Sequence, residues 1–189
     1  MAVVLEKGQN ISLESGLTKV KVGMGWNPRC EPGDEFDLDA SCFLLNAEKK
    51  VRSDADFIFY NHPTSSCGSV KYQGDNRNGV GEGDDEQILV DLSQVPADVE
   101  RIVFTATIYK SNERGQNFGQ VDNSYIRLVD MTNDEEIAKF ELGEDASTST
   151  ALVFGELYRR NGAWKFRALG QGYTFELGSL ACSYGVSLA

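Results

Sequence analysis

Apolar residues recur at every second position along most of this chain, and that periodicity limits the fold more than any other feature. In residues 36–45, Phe36, Leu38, Ala40 and Cys42 alternate with Asp37, Asp39 and Ser41. Side chains on a strand point alternately to opposite faces, so such a segment buries one face and turns the other to solvent. Residues 17–26 repeat the pattern, with Leu17, Val20 and Val22 leading into Met24 and Trp26. Further strands are expected at 55–60, 69–73, 87–92, 101–109, 124–130, 136–142, 151–159 and 164–169. Clusters of Gly, Asn and Asp punctuate them at the intervals of a sandwich. Asn161-Gly162, between Leu157-Tyr158 and Trp164, reads as a type I′ hairpin, because both residues tolerate positive φ. Helix is expected only as a short turn at 93–98 and a terminal segment at 175–184, where Gly178 weakens it. The expected fold is all-β, a two-sheet β-sandwich with a few short helices. No linker, repeat or low-complexity tract divides the sequence, so residues 1–189 read as a single domain.

Charge narrows the choice of partners. The chain has 189 residues, 41% of them hydrophobic, which suffices for a core without disulfide staples. Its formal net charge is −11. Such a chain repels phosphate backbones and anionic lipid surfaces, which argues against nucleic acid and membrane partners. Hard cations or a basic protein surface are the attractive ones. An acid excess can also serve only solubility, so the placement of the acids has to decide. The opening residues carry Glu6 and Lys7 and hold no signal-peptide core. No stretch approaches the roughly 20 apolar residues of a membrane span, so a cytoplasmic protein without membrane insertion is expected. Cys30, Cys42, Cys67 and Cys182 form no C-x-x-C pair and fit reduced thiols, Cys42 as a small core residue.

The acids gather in three segments. Asp37-Leu38-Asp39 places two carboxylates on one strand face, where they repel unless a cation or water intervenes. Asp54-Ala55-Asp56 repeats the spacing at the start of another expected strand. The third segment, 74–86, packs five acids and four glycines into thirteen residues. Ca²⁺ takes six to eight oxygens from carboxylates, amide side chains and carbonyls, and glycines let a short loop fold them around one point. The alternative is a solvated acidic turn.

Other chemistries fit less well. Asp75 to Glu86 has the length of an EF-hand loop, but Arg77 and Val80 occupy positions that need a ligand and a glycine. A phosphate cradle would have the wrong charge. Zinc prefers nitrogen and sulfur, and the chain has one histidine, His62, and no cysteine pair. Mg²⁺ remains open, although it keeps more of its waters. Paired carboxylates can perform acid–base chemistry, but this crowd of acids among glycines suits a cage better than a dyad. No catalytic residue is assigned, and a non-enzyme is expected. The alternative is a metal-dependent or thiol-based enzyme acting on a small molecule, with Cys67 near Lys71 as the thiol.

These same residues carry a resemblance. Lys7-Gly8-Gln9-Asn10-Ile11-Ser12-Leu13, Val22-Gly23-Met24-Gly25-Trp26, Phe36-Asp37-Leu38-Asp39-Ala40-Ser41 and Asp54-Ala55-Asp56-Phe57-Ile58-Phe59-Tyr60-Asn61 are similar to TerD-family proteins. So are Gly74-Asp75-Asn76-Arg77, Asp84-Asp85-Glu86, Gly115-Gln116-Asn117-Phe118-Gly119-Gln120-Val121 and Phe154-Gly155-Glu156-Leu157-Tyr158-Arg159. The resemblance implies a β-sandwich whose acidic loops bind Ca²⁺, through Asp37, Asp39, Asp75, Asn76, Glu82, Gly83, Asp84, Asp85 and Glu86. It also implies a metal-dependent scaffold or sensor in resistance to tellurite and related stresses. Possible partners are other tellurium-resistance proteins, including a TerC-like membrane protein. The sequence departs from the family pattern at Val80, which has no side-chain ligand, at Glu82, a longer arm than the usual Asp, and at Asn27 and Cys67, where Asp is common.

Overall fold

The computed structural model describes residues 1–74, 79–81, 83–143 and 146–188. In chain order the strands are β1 (Val3–Leu5), β2 (Asn10–Ser12), β3 (Lys19–Gly25), β4 (Leu38–Leu45), β5 (Phe57–Ile58) and β6 (Val70–Tyr72). They continue with β7 (Glu86–Asp91), β8 (Arg101–Ile108), β9 (Tyr125–Asp130), β10 (Glu135–Glu141), β11 (Ala151–Arg160) and β12 (Ala163–Tyr173). Two short helices are α1 (Ser111–Arg114) and α2 (Leu177–Ser183). Among the described residues the strands form two six-stranded sheets, ordered β1-β10-β9-β3-β7-β6 (sheet A) and β2-β12-β11-β8-β4-β5 (sheet B). The expected all-β two-sheet fold is therefore the observed one.

The alternation explains the packing. Val20, Val22 and Met24 of β3, Ile88 and Val90 of β7 and Ile126 and Leu128 of β9 face inward from sheet A. Leu38, Ala40, Cys42 and Leu44 of β4 and Ile102, Phe104, Ala106 and Ile108 of β8 meet them from sheet B. Each fully buried aliphatic or aromatic side chain contributes about 1.5–3 kcal/mol. Strand β4 is buried on both faces. Its outer residues Phe43 and Leu45 join Phe57, Val103 and Val153 beneath Leu180 and Ala181 of α2. The α2 segment thus covers the outer face of sheet B, and the Tyr184 ring lies 4.7 Å from that of Phe43. A register shift between Val153 and Gly155 keeps both patterns in phase along β11.

Some local expectations change. Residues 93–98 form turns instead of helix, since Pro96 interrupts the segment. Asp54–Asp56 is a 3₁₀ turn, not the start of a strand, and only Phe57–Ile58 pairs with β4. The edge strands β1 and β2 are too short for periodicity to reveal. Asn161 and Gly162 take positive φ values of 53° and 76°, as a type I′ turn requires.

Candidate functional site

Four connections gather at one end of the sandwich, in their described residues 26–37, 73–74 with 79–81 and 83–85, 109–124, and 142–143 with 146–150. They are tied through backbone groups. The Asn27 amide donates to the Asp122 carbonyl at 2.9 Å, Phe118 to Ser149 at 2.8 Å, and Tyr109 to Asp37 at 2.8 Å. Trp26 is the hub. Its indole Nε1 donates to the Phe36 carbonyl at 3.2 Å, and its backbone N–H donates to Asp85 Oδ2 at 2.9 Å. Gly79 packs on the same indole with φ +69°, where a Cβ would stand 2.6 Å from Nε1. Only glycine meets both demands.

The expected site residues separate at this end. Asp39 alternates with Leu38 and Ala40, so its side chain lies on the outer face of sheet B, opposite Thr107 of β8. Asp37 precedes the same strand in the same phase. Glu86 shares its phase with Ile88 and Val90, which places a fully buried carboxylate on the inner face of sheet A. Asp85 turns to the Trp26 amide. Burial raises its pKa, the Trp26 N–H opposes that rise, and the neighbouring Asp84 charge adds to it. Asp75, Asn76 and Glu82 lie outside the described residues. Gly83 offers its carbonyl to the Tyr125 hydroxyl at 3.1 Å.

Asp84 is engaged elsewhere. Arg127 grips its carboxylate with two bonds, Nε to Oδ1 at 2.7 Å and a second nitrogen to Oδ2 at 3.0 Å, and Tyr125 donates to Oδ1 at 3.0 Å. The carboxylate fits over Gly23, where any Cβ would collide with it. Gly23 alternates with Val22 and Met24, so Asp84 lies on the outer face of sheet A, across the sandwich from Asp39. A forked Arg–carboxylate pair is among the strong hydrogen-bonded contacts, and it holds the start of β7 to β9. The second Asp-x-Asp segment also has a structural task. Arg52 binds both oxygens of buried Asp56 at 2.8 and 2.9 Å, and Asp54 accepts the Ser187 amide at 2.8 Å.

Two oxygens that the sequence did not single out stand at the acidic end. Gln116 is buried in the connection between β8 and β9, and its Nε2 donates to the Asp34 and Glu35 carbonyls at 2.7 and 3.3 Å. Those two acceptors fix the amide orientation. Its Oε1 is then buried without a hydrogen-bond partner, as is Oγ of Ser111, the first residue of α1. The polar Gly115-Gln116-Asn117 run was the only signal in the sequence. Asn117 caps the turn that follows, its side chain accepting the Gln120 backbone N–H while its own N–H donates to Gln120 Oε1 at 3.1 Å. Among the described residues no three Asp, Glu, His or Cys side chains stand close enough to hold a metal by themselves.

The thiols are free. Cys42 is buried in the core, and burial pushes its pKa up. Cys67 is half-buried. Burial pushes its pKa up, but hydrogen bonds from Ser65 and Ser69 outweigh that, so the thiol lies below its ordinary value.

Two packed six-stranded sheets with acidic connections at one end place the chain in the class of two-sheet β-sandwich proteins. The TerD domain family model matches residues 1–184. The chain is 53% identical over 190 residues to the tellurium resistance protein TerD of Serratia marcescens, with 99% of each chain covered. It is 47% identical to general stress protein 16U of Bacillus subtilis (strain 168), with 100% of each covered. The crystal structure of a telluride-resistance-protein (TerD) homologue from Streptomyces coelicolor A3(2) superposes with a TM-score of 0.70. It is 20% identical and covers 88% of this chain and 96% of its own, which bears on the fold alone. The chain belongs to the TerD family of tellurium-resistance and stress-response proteins. Among the described residues no helix is long and apolar enough to cross a membrane.

Proposed function

We propose that the acidic end of the sandwich binds Ca²⁺ and that the protein acts in the stress response as a metal-dependent scaffold or sensor, not as an enzyme. The observation that carries this reading is the pair of buried oxygens, Gln116 Oε1 and Ser111 Oγ, left without hydrogen-bond partners beside the acidic connections. A buried acceptor without a donor costs about 1–3 kcal/mol, and a hard cation would offset that cost. The available donors are all oxygens, the set that Ca²⁺ favours. Asp37, Asp39, Asp85 and Glu86 would supply the charge, with Gln116 and Ser111 as neutral ligands and Asp75, Asn76 and Glu82 adding to them from the acidic loop. Asp84, gripped by Arg127, would orient that loop without ligating. When bound, Ca²⁺ would supply positive charge that joins connections from both sheets, and a partner could read the resulting surface. Partners in this reading are other tellurium-resistance proteins, including a TerC-like membrane protein, met in the cytoplasm.

Calorimetry and thermal melts of the full chain test the proposal. Ca²⁺ at 100 times its dissociation constant should add about 2.7 kcal/mol of stability per site, and Mg²⁺ should bind more weakly. Identical melts in excess Ca²⁺ and in chelator would overturn the calcium reading. Equal affinity for Mg²⁺ would reopen a hydrated-metal site and, with it, an enzyme.

A further inference from the structure

A second surface feature lies along the lateral seam, where the edge of sheet A faces the edge of sheet B. Among the described residues β1 ends the order of sheet A and β2 ends that of sheet B, so each has one backbone edge with no strand beside it. Between them runs a groove of about 410 Å³, with Val3, Ile11, Leu13, Leu17 and Ile137 as its apolar lining. Val3 and Val4 are 44% and 71% exposed. Two valines exposed on a bare edge strand beside an apolar groove mark a surface for strand addition, and native edges of this kind are ordinarily blunted by charge or covered.

Charge selects the occupant. Glu14, Asp130, Glu135 and Glu136 line the same groove together with Met1, and among the described residues no lysine or arginine side chain does. One of these acids, Glu136, is shared with Arg127 at 3.2 Å. A second copy of a chain with net charge −11 would bring two such rims together and repel. An anionic lipid surface meets the same obstacle.

We infer that this seam is a docking site for a short extended segment of another protein, apolar at alternate positions and flanked by lysine or arginine. The segment adds to the free edge of β1 through main-chain hydrogen bonds, and its alternate side chains enter the groove. Its basic flanks meet the carboxylate rim. The site is separate from the acidic end and does not depend on the calcium reading.

The test is an NMR titration of the full chain with a blocked peptide, Lys-Val-Ser-Val-Ser-Val-Lys, and its counterpart with Glu at both ends. The basic peptide should shift the backbone amides of Val3, Val4 and Leu5 and the methyls of Ile11, Leu17 and Ile137. It should bind at least about ten-fold tighter than the acidic one at low salt, with the gap closing as salt screens the rim. The exposed pair Glu14→Lys/Glu135→Lys should invert the preference while leaving the rest of the spectrum in place. Ile137→Glu should abolish binding of both peptides. Shifts elsewhere than the seam would overturn the inference, as would a preference indifferent to the charge swap. Concentration-dependent broadening of Val3 and Val4 without peptide would overturn it in favour of a second copy.

Discussion

Asp37-Leu38-Asp39 and Asp54-Ala55-Asp56 share one spacing and have different surroundings. The first lies at the start of β4, with Asp39 on a regular strand opposite Thr107. The second is a 3₁₀ turn at the opposite end of the fold, where Arg52 binds both oxygens of Asp56 and a backbone amide binds Asp54. A carboxylate answered by a forked guanidinium is part of the scaffold. Spacing alone therefore does not identify a cation ligand; the neighbouring charge does. The contrast repeats between adjacent residues, since Asp84 is answered by Arg127 and Asp85 by a neutral amide.

The sharpest way to break this contrast is to remove the buried acid of the structural pair. Asp56→Ala removes the buried carboxylate that takes two bonds from Arg52, leaving the guanidinium only the exposed Asp98, and should cost about 3 kcal/mol in urea unfolding, equally in Ca²⁺ and in chelator. A loss seen only with Ca²⁺ would make Asp56 a ligand. Next in size, Asp84→Asn should cost about 2 kcal/mol, again with and without Ca²⁺, because a charged acceptor of three hydrogen bonds is weakened. If it instead left the metal-free protein untouched and weakened Ca²⁺ binding, Asp84 would join the cage.

Asp39→Asn should do the reverse. Ca²⁺ affinity should fall about ten-fold, since ligand charge sets affinity, which corresponds to about 1.4 kcal/mol. The metal-free protein should melt as before. Equal destabilisation in both states would make Asp39 a structural hydrogen-bonding residue. The smallest effect concerns Cys67. Its lowered pKa means that the thiolate fraction, and with it the alkylation rate by iodoacetamide, rises at lower pH than for an ordinary thiol near 8.5. A pH profile matching that of a free cysteine in a short peptide would remove any special character from Cys67.

Much of this molecule was legible because it rests on local rules. Alternation over residues 17–26, 36–45 and 101–109 requires one apolar face per strand, and burying those faces requires two sheets. The Asn161-Gly162 turn followed from positive φ alone. The crowding of acids among glycines over 74–86 was visible for the same reason, since repulsion and backbone freedom are properties of the segment itself, but whether those acids hold a cation is not a local matter.

Tertiary structure decided which acid meets which base. Nothing local distinguishes Asp84 from Asp85, yet the strand register puts Arg127 and Tyr125 of β9 beside a side-chain-free Gly23 and claims Asp84 for the outer face of sheet A. Asp39 is sent to the outer face of sheet B and Glu86 to the inner face of sheet A, because each follows the phase of its own strand. Gln116 became a candidate only when the fold carried it against Asp34 and Glu35, more than eighty positions away in sequence, and used its two amide hydrogens there. Coulombic and hydrogen-bond energies depend on distances across the fold, whereas periodicity and turn chemistry depend on the chain beside each residue.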